Sequence, residues 1–293
     1  MAILGAHMSI TGGFHKAVER AEALGFDCVQ IFTAAPQQWP VLPAPGEPPL
    51  PVEAARRFHE ALERGTVRYP LSHTSYLINL AAADDTLWER STAALTLELR
   101  RADQLRVPYV VLHPGAHTTL TEREGLDRVV LALDRVHNET SGLSSQVLLE
   151  STAGQGTCLG WKFEQLAYIL NEVRDTNRLG VCLDTCHLHA AGYDMTTRPK
   201  YLAMWREFES SIGIARLHAL HLNDSKRELG SRVDRHENIG RGSLGIEPFR
   251  WLLNDRRLRK IPMYLETPKS KDDHGEEWDV VNLRTLRALS EGK

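Results

Sequence analysis

Short apolar runs alternate with longer amphipathic stretches along the whole chain. Eight runs stand out, at 2–6, 28–32, 67–72, 108–112, 146–149, 180–183, 217–220 and 261–265. Several are aliphatic throughout, as in Tyr109-Val110-Val111-Leu112 and Gln146-Val147-Leu148-Leu149, without the in–out alternation of a sheet that has one wet face. Continuous runs of this length suit strands buried on both sides, as in a parallel sheet. Between them, 13–24, 52–64, 86–105, 122–138, 162–176, 200–213, 248–255 and 278–289 carry helical spacing. Eight βα units in 293 residues predict an α/β protein, a closed (β/α)8 TIM barrel forming one domain over 1–293. An open doubly wound sheet is the structural runner-up, but no glycine-rich phosphate loop follows the first run.

Two segments break the rhythm. Residues 40–51 hold six prolines, which excludes helix or central strand and predicts a stiff loop after strand two. Residues 223–245 are polar, rich in Gly, Arg and Asp, and far longer than a βα connection requires. No apolar run approaches the ~18 residues of a membrane span, and the first ten residues lack a signal-peptide pattern. Cys28, Cys158, Cys182 and Cys186 are too few for a disulfide framework and read as reduced thiols, so a cytoplasmic location is expected. A net charge of −3 argues against nucleic-acid binding through bulk charge alone. Bound divalent cations would reverse that sign where they sit.

The chemistry lies at the ends of the runs. Strand one finishes at His7, strand three at His73, strand four at His113, strand five at Glu150, strand six at Asp184, strand seven at His221 and strand eight at Glu266. In a parallel barrel all C-terminal strand ends open on one face, so these side chains converge. A single such histidine is ordinarily a hydrogen-bonded core group; seven metal-ligand types in register are harder to dismiss. Crowded carboxylates and imidazoles repel or stay unsatisfied unless cations neutralise them. Asp184-Thr185-Cys186-His187 adds an imidazole just past strand six, and Asp234-Arg235-His236 sets two more donors on one side of the long loop. Nine candidates result: His73, His113, Glu150, Asp184, His187, His221, Asp234, His236 and Glu266. Mixed imidazole and carboxylate donors suit Zn²⁺ or Mn²⁺, and nine are too many for one ion. Cys182 and Cys186 flank Asp184 without a partner pair, which argues against a thiolate site. His15, His59, His137 and His274 are expected to be solvated, and His189 to support a neighbouring ligand.

The segments GAHMS, SHTSYLINL, LHPG, ESTAGQG, GVCLDTCHLHAAGYD, HLNDSK, GSRVDRHENIG and LETP, colinear from residue 4 to about 268, resemble the signatures of the endonuclease IV family. That family comprises trinuclear-zinc AP endonucleases of base excision repair. The resemblance implies three zinc sites: His73, His113 and Glu150; Glu150, Asp184, His221 and Glu266, with Glu150 as bridge; and His187, Asp234 and His236. Mn²⁺ is admissible at one position. His7 resembles a near-site histidine that hydrogen-bonds without ligating.

The implied substrate is duplex DNA with an abasic site, cut on its 5′ side to leave a 3′-hydroxyl and a 5′-deoxyribose phosphate. A hydroxide shared by two cations would attack, with the catalytic residues Glu150 and Glu266 orienting it. The third ion would stabilise the departing oxygen. Tyr76, Gln37, Arg232 and Arg235 are the implied DNA contacts, with Arg227 and Arg241 also available. Gln37 stands where relatives commonly carry a basic residue, Pro36 also departs from the pattern, and Ser151 replaces a common Asn. A monomer with a free DNA face is expected. Sugar isomerases and epimerases of similar barrels form the competing class, since they gather His, Glu and Asp around one or two ions. A non-catalytic zinc-binding or scaffold protein is a third reading, disfavoured because structural sites rarely leave so many donors around one mouth.

Overall fold

Every apolar run becomes a strand, and the strands close on one another. The computed structural model describes residues 2–44 and 46–290. Met1, Pro45 and residues 291–293, parts of the expected 1–293 span and proline loop, lie outside the described residues. The strands are β1 (Ile3–His7), β2 (Cys28–Phe32), β3 (Arg68–His73), β4 (Tyr109–Leu112), β5 (Gln146–Glu150), β6 (Leu179–Asp184), β7 (Leu217–His221), the short β8 (Asp224–Ser225) and β9 (His236–Glu237), and β10 (Pro262–Leu265). The eight long strands form a closed parallel barrel in the order β1-β10-β7-β6-β5-β4-β3-β2. β8 and β9 pair antiparallel inside the long loop after β7.

The helices are α1 (Phe14–Ala23), α2 (Val52–Arg64), α3 (Asp85–Gln104), α4 (Glu122–Glu139), α5 (Phe163–Glu172), α6 (Thr185–Ala191), α7 (Arg198–Ser211), α8 (Glu247–Asn254) and α9 (Trp278–Ser290). Local chemistry sets their ends. The Asp84 side chain accepts from Leu87 N–H at the start of α3, and Thr121 with Glu124 forms a capping box on α4. The helix expected over 162–176 stops at Glu172. There Val173 turns to extended backbone and is buried, and Arg174 N–H donates to Asp134 Oδ1 at 2.9 Å instead of continuing the helix. α6 is an element that periodicity does not predict: seven residues are too few for a periodic signal.

Two apolar layers result. The larger lies between strands and helices. The smaller fills the barrel interior with one residue from each of seven strands: Cys28, Leu71, Val111, Leu148, Cys182, Ala219 and Tyr264. β1 contributes Gly5 at the corresponding place, where a Cβ would stand 2.3 Å from the Cys28 carbonyl oxygen. Side chains alternate along a strand. The residue two positions on from each plug residue therefore faces the same interior, one layer nearer the mouth.

One expectation is corrected here. His137 is buried at 6% exposure, with neither ring nitrogen partnered among the described residues. It lies on the apolar stripe of α4 with Leu126, Val129, Leu133 and Val136. Burial lowers its pKa to about 4, so it sits there neutral. His59 is half-buried and bonded to the Gln104 carbonyl at 3.1 Å, while His274 is exposed as expected.

Gly5 generates a test of the plug. Gly5→Ala forces a methyl onto the β2 backbone, and overpacking of this kind costs about 2 kcal/mol or more. Urea unfolding should show that loss; unchanged stability would mean that β1 can shift away from β2 without penalty.

Candidate metal centre

Counting two residues on from the plug gives His7, Gln30, His73, His113, Glu150, Asp184, His221 and Glu266. All of these except Gln30 were singled out from sequence. Strand two was read to its last residue, Phe32, which packs against the rings of His7, His73 and Tyr76. The inward residue of β2 is Gln30, fully buried. Applying the same two-residue step to β2 would have found it.

The structure brings all nine expected donors to one mouth. Their ligand atoms gather within 4.8 Å of one another in three groups: His73, His113 and Glu150; Glu150, Asp184, His221 and Glu266; His187, Asp234 and His236. A fourth group, Asp184, Cys186 and His236, overlaps the others. Burial pushes the Cys186 thiol up to about 12, so it remains protonated.

Glu150 sits at the centre with no exposure. One of its oxygens lies 3.0 Å from His73 Nε2 and 2.9 Å from His113 Nε2; the other lies 2.9 Å from His221 Nδ1. His187 Nε2 and His236 Nε2 are each 3.2 Å from an Asp234 oxygen and 3.5 Å from one another. His221 Nδ1 is 3.2 Å from Glu266 Oε2. Tetrahedral coordination at about 2.0–2.1 Å places donors about 3.3 Å apart, so these spacings fit zinc-sized cations.

The outward nitrogens of four of the five donor imidazoles are occupied. His73 Nδ1 donates to Thr74 O at 2.8 Å, His187 Nδ1 to Ser151 O at 2.8 Å and His236 Nδ1 to Glu266 O at 3.2 Å. His221 instead donates Nε2–H to Gln30 Oε1 at 2.7 Å. Each bond selects the tautomer whose lone pair faces the cluster. The Gln30 amide also donates to His7 Nδ1 at 2.9 Å and to Glu266 Oε1 at 2.5 Å. His7 thus touches the cluster through Gln30, and burial lowers its pKa to about 3. His189 bonds through Nε2 to the Ser243 hydroxyl at 3.0 Å, so it braces the long loop rather than a ligand side chain.

Asn223 is a second residue missed from sequence. Its amide donates to Asp184 Oδ2 at 2.6 Å, and its carbonyl accepts from Glu266 N–H at 2.9 Å. The Ser151 hydroxyl accepts from Asp184 N–H at 3.0 Å. Asp184 serves twice: its other oxygen accepts from His187 N–H at 2.9 Å and caps α6, which aims His187 inward.

A cavity of about 200 Å³ opens beside the donors between Tyr76, Asn79, His113, Gly154, His187 and Asp234. Tyr76 is 59% exposed at its edge. Its N–H and the Ser75 hydroxyl both donate to Pro36 O, tying it to the loop that carries the exposed Gln37. Arg227, Arg232, Arg235 and Arg241 are all exposed, and the Arg232 and Arg241 guanidinia lie over Trp161 and Trp278.

Comparison with known proteins places this site in context. A family described as the xylose isomerase-like TIM barrel matches residues 18–289. A probable endonuclease 4 of Chloroflexus aurantiacus is 45% identical over 292 residues, covering 100% of this chain and 99% of that protein. The crystal structure of endonuclease IV from Thermus thermophilus superposes with a TM-score of 0.83 at 36% identity, covering 99% of each chain. A D-tagatose 3-epimerase-like protein also superposes, with a TM-score of 0.71 at 18% identity over 99% of this chain and 98% of that one. That last likeness is one of fold alone.

Electrostatics make the cluster dependent on pH when cations are stripped from it. Burial opposes charge on His236, but the Asp184 and Asp234 carboxylates raise its pKa to about 9. Burial likewise opposes charge on His187, which the same two carboxylates hold well above its ordinary value. Burial would raise Glu266, but His221 brings it to about 2. A raised imidazole contributes stability that is full below its unfolded value of 6.5 and is lost as pH climbs through about 9. Chelator-treated protein should therefore melt at a lower temperature at pH 9.5 than at pH 6.5. Zinc-loaded protein should show no such fall, because an imidazole that ligates a cation does so deprotonated. Thermal melts in four buffers check this; a pH-independent melt after chelation would rule out protons as the substitute for cations.

Proposed function

The chain belongs to the endonuclease IV family, and from this premise we propose that it hydrolyses the phosphodiester bond 5′ to abasic sites in duplex DNA, leaving a 3′-hydroxyl and a 5′-deoxyribose phosphate. The observation that carries the reading is the third donor group. His187, Asp234 and His236 join two groups that already share Glu150. A sugar isomerase or epimerase has no leaving oxygen that needs an ion of its own, whereas phosphodiester hydrolysis must stabilise both an attacking and a departing oxygen.

His73, His113 and Glu150 would hold one ion; Glu150, Asp184, His221 and Glu266 a second; His187, Asp234 and His236 a third. Zinc suits this donor set, with manganese admissible at one position. Bound there, such cations supply Lewis acidity and lower the pKa of water from ~15.7 towards 7. The chain's residues do the rest. Glu266 remains a carboxylate at neutral pH, and Gln30 fixes one of its oxygens while the other faces the cluster beside His221. With Glu150, it accepts hydrogen bonds from the attacking water and orients it towards phosphorus. Backbone carbonyls keep the His73, His187 and His236 rings from turning as charge develops.

The cavity beside Tyr76 takes the abasic nucleotide after it leaves the stack. Tyr76, Gln37 and Arg235 touch the duplex around it. The protein acts as a monomer in the cytoplasm, with this face free for DNA.

Glu266→Gln keeps the shape of the side chain but removes its charge. It should lower nicking of an abasic duplex by about 100-fold or more, in line with the loss of a positioned base, while retaining much of the zinc by elemental analysis. Near wild-type turnover would remove Glu266 from its role. Wild-type protein carrying about one zinc, or turning over a sugar without nicking DNA, would return the chain to the isomerase class.

A further inference from the structure

Arg232 occupies an unusual position for a loop cation. Its guanidinium carbon lies 4.0 Å from the centre of the Trp161 indole, and Lys162 Nζ lies 4.5 Å from the same ring. The indole rests in turn on Gly154, whose φ is +77°; a Cβ there would come within 2.9 Å of Trp161 Cγ. Glycine alone allows both that backbone and that approach. Arg232 itself holds a φ of +53°, in the left-handed region that non-glycine residues enter only when their surroundings require it.

Those surroundings are explicit. Arg232 N–H donates to Ala190 O at 2.9 Å and Gly230 N–H to His189 O at 3.0 Å, fastening the segment to the end of α6. The side chain fastens it on the other side, to the loop after β5. The same loop, running from Ser151 to Trp161, carries the carbonyl that orients His187. Asp234, two residues beyond Arg232, turns its carboxylate oxygens to His187 and His236. Among the described residues no other side chain bonds to that carboxylate. The place of Asp234 is therefore set by its backbone, which is held upstream at Arg232 and downstream where Lys226 N–H donates to Arg235 O at 2.9 Å and β9 pairs with β8.

We propose that Arg232 is a positioning residue: stacked on Trp161, it holds residues 230–236 so that Asp234 and His236 meet His187, and it does not serve as a phosphate contact. The proposal rests on the reading of those three residues as an ion site. It assigns the arginine of this loop to the third cation's cage, and it makes Trp161 a partner in the same task although no donor atom of Trp161 approaches the cluster.

The test compares wild type, Arg232→Lys, Trp161→Leu, Trp161→Phe and the Lys/Leu double variant. Lysine keeps a charge for phosphate but loses the planar face that stacks. Arg232→Lys and Trp161→Leu should each weaken retention of one zinc equivalent by about 10-fold or more, the usual effect of removing support behind a ligand. They should lower kcat on an abasic duplex by a similar factor, leave KM within about twofold, and leave its salt dependence unchanged. Trp161→Phe, which still offers a ring, should retain zinc close to wild type and so shows that loss in Trp161→Leu is not general misfolding. The double variant should be no worse than the worse single one.

The proposal is overturned if Trp161→Leu keeps all its zinc, or if Arg232→Lys is near wild type while Arg232→Ala raises KM and flattens the salt slope by about one, the signature of a lost phosphate contact. His187→Ala separates this from failure of the ion site itself. If that variant binds as much zinc as wild type, the third site does not exist and both readings fall together.

Discussion

A carboxylate cannot stay ionised in the middle of a barrel without a counter-charge, and Glu150 is buried completely. Asp184 is buried with it, and Glu266 and Asp234 close the ring. Among the described residues no lysine or arginine pairs with any of these four side chains; the positive partners are imidazoles. Imidazole is a weak counter-ion, charged only on taking up a proton, and a proton so held blocks the lone pair that a cation needs. The mouth of the barrel is thus open to neutralisation by protons or by metal, each of which excludes the other from an imidazole lone pair. The tautomer-fixing bonds, the Gln30 and Asn223 amides and the cap on α6 all favour the metal-ready state, because each holds a lone pair or a charge inward.

Strand alternation explains why this constellation was legible. The plug residues and the donors occupy consecutive inward positions on the same strands, so the last apolar residue of a run announces the donor that follows it. That rule locates His73, His113, Glu150, Asp184, His221 and Glu266. It fails at β2, where the run ends on Phe32 and the inward position is the interior Gln30, a residue type that binds no zinc but directs three groups that face it, His7, His221 and Glu266. His187 and His236 were found from motif spacing, although the elements that hold them, a seven-residue helix and a two-residue strand, are too short to leave a pattern. The burial of His137 was within reach of the same logic: it falls on the apolar stripe of α4, and position along a helix outweighs residue type.

Exposed contacts are the part that sequence conveyed least. The strand-seven loop carries several arginines, and a count of charges treats them alike. In the structure Arg232 and Arg241 lie over tryptophans, while Arg235 donates to the backbone carbonyl of Asp234 at 2.7 Å. An arginine face that stacks is partly withdrawn from solvent and fixed in direction. Where a cation goes depends on which aromatic ring lies near it in the fold, and no local pattern encodes that. The 33–39 loop shows the same limit: hydrogen bonds to Pro36 couple it to Tyr76 across 39 or 40 positions of chain, and nothing in either segment announces the other.

The likeness to an epimerase-like barrel shows how little of the chemistry the barrel itself decides. Strands can present a ring of donors around one or two cations in any such fold, because alternation and a shared C-terminal face are enough. The third group needs more. His187 arrives on α6, Asp234 and His236 on the segment leading into β9, and Asp184 joins the two systems by turning one oxygen to the strand-borne ring and the other to the cap of α6. A change in either loop therefore moves a ligand of the third group while leaving the strand-borne ring in place. The division of labour follows from that coupling: strands fix the part of the site that similar barrels can share, and loops anchored at Asp184 and Arg232 add the part that would distinguish cutting a phosphodiester from rearranging a sugar.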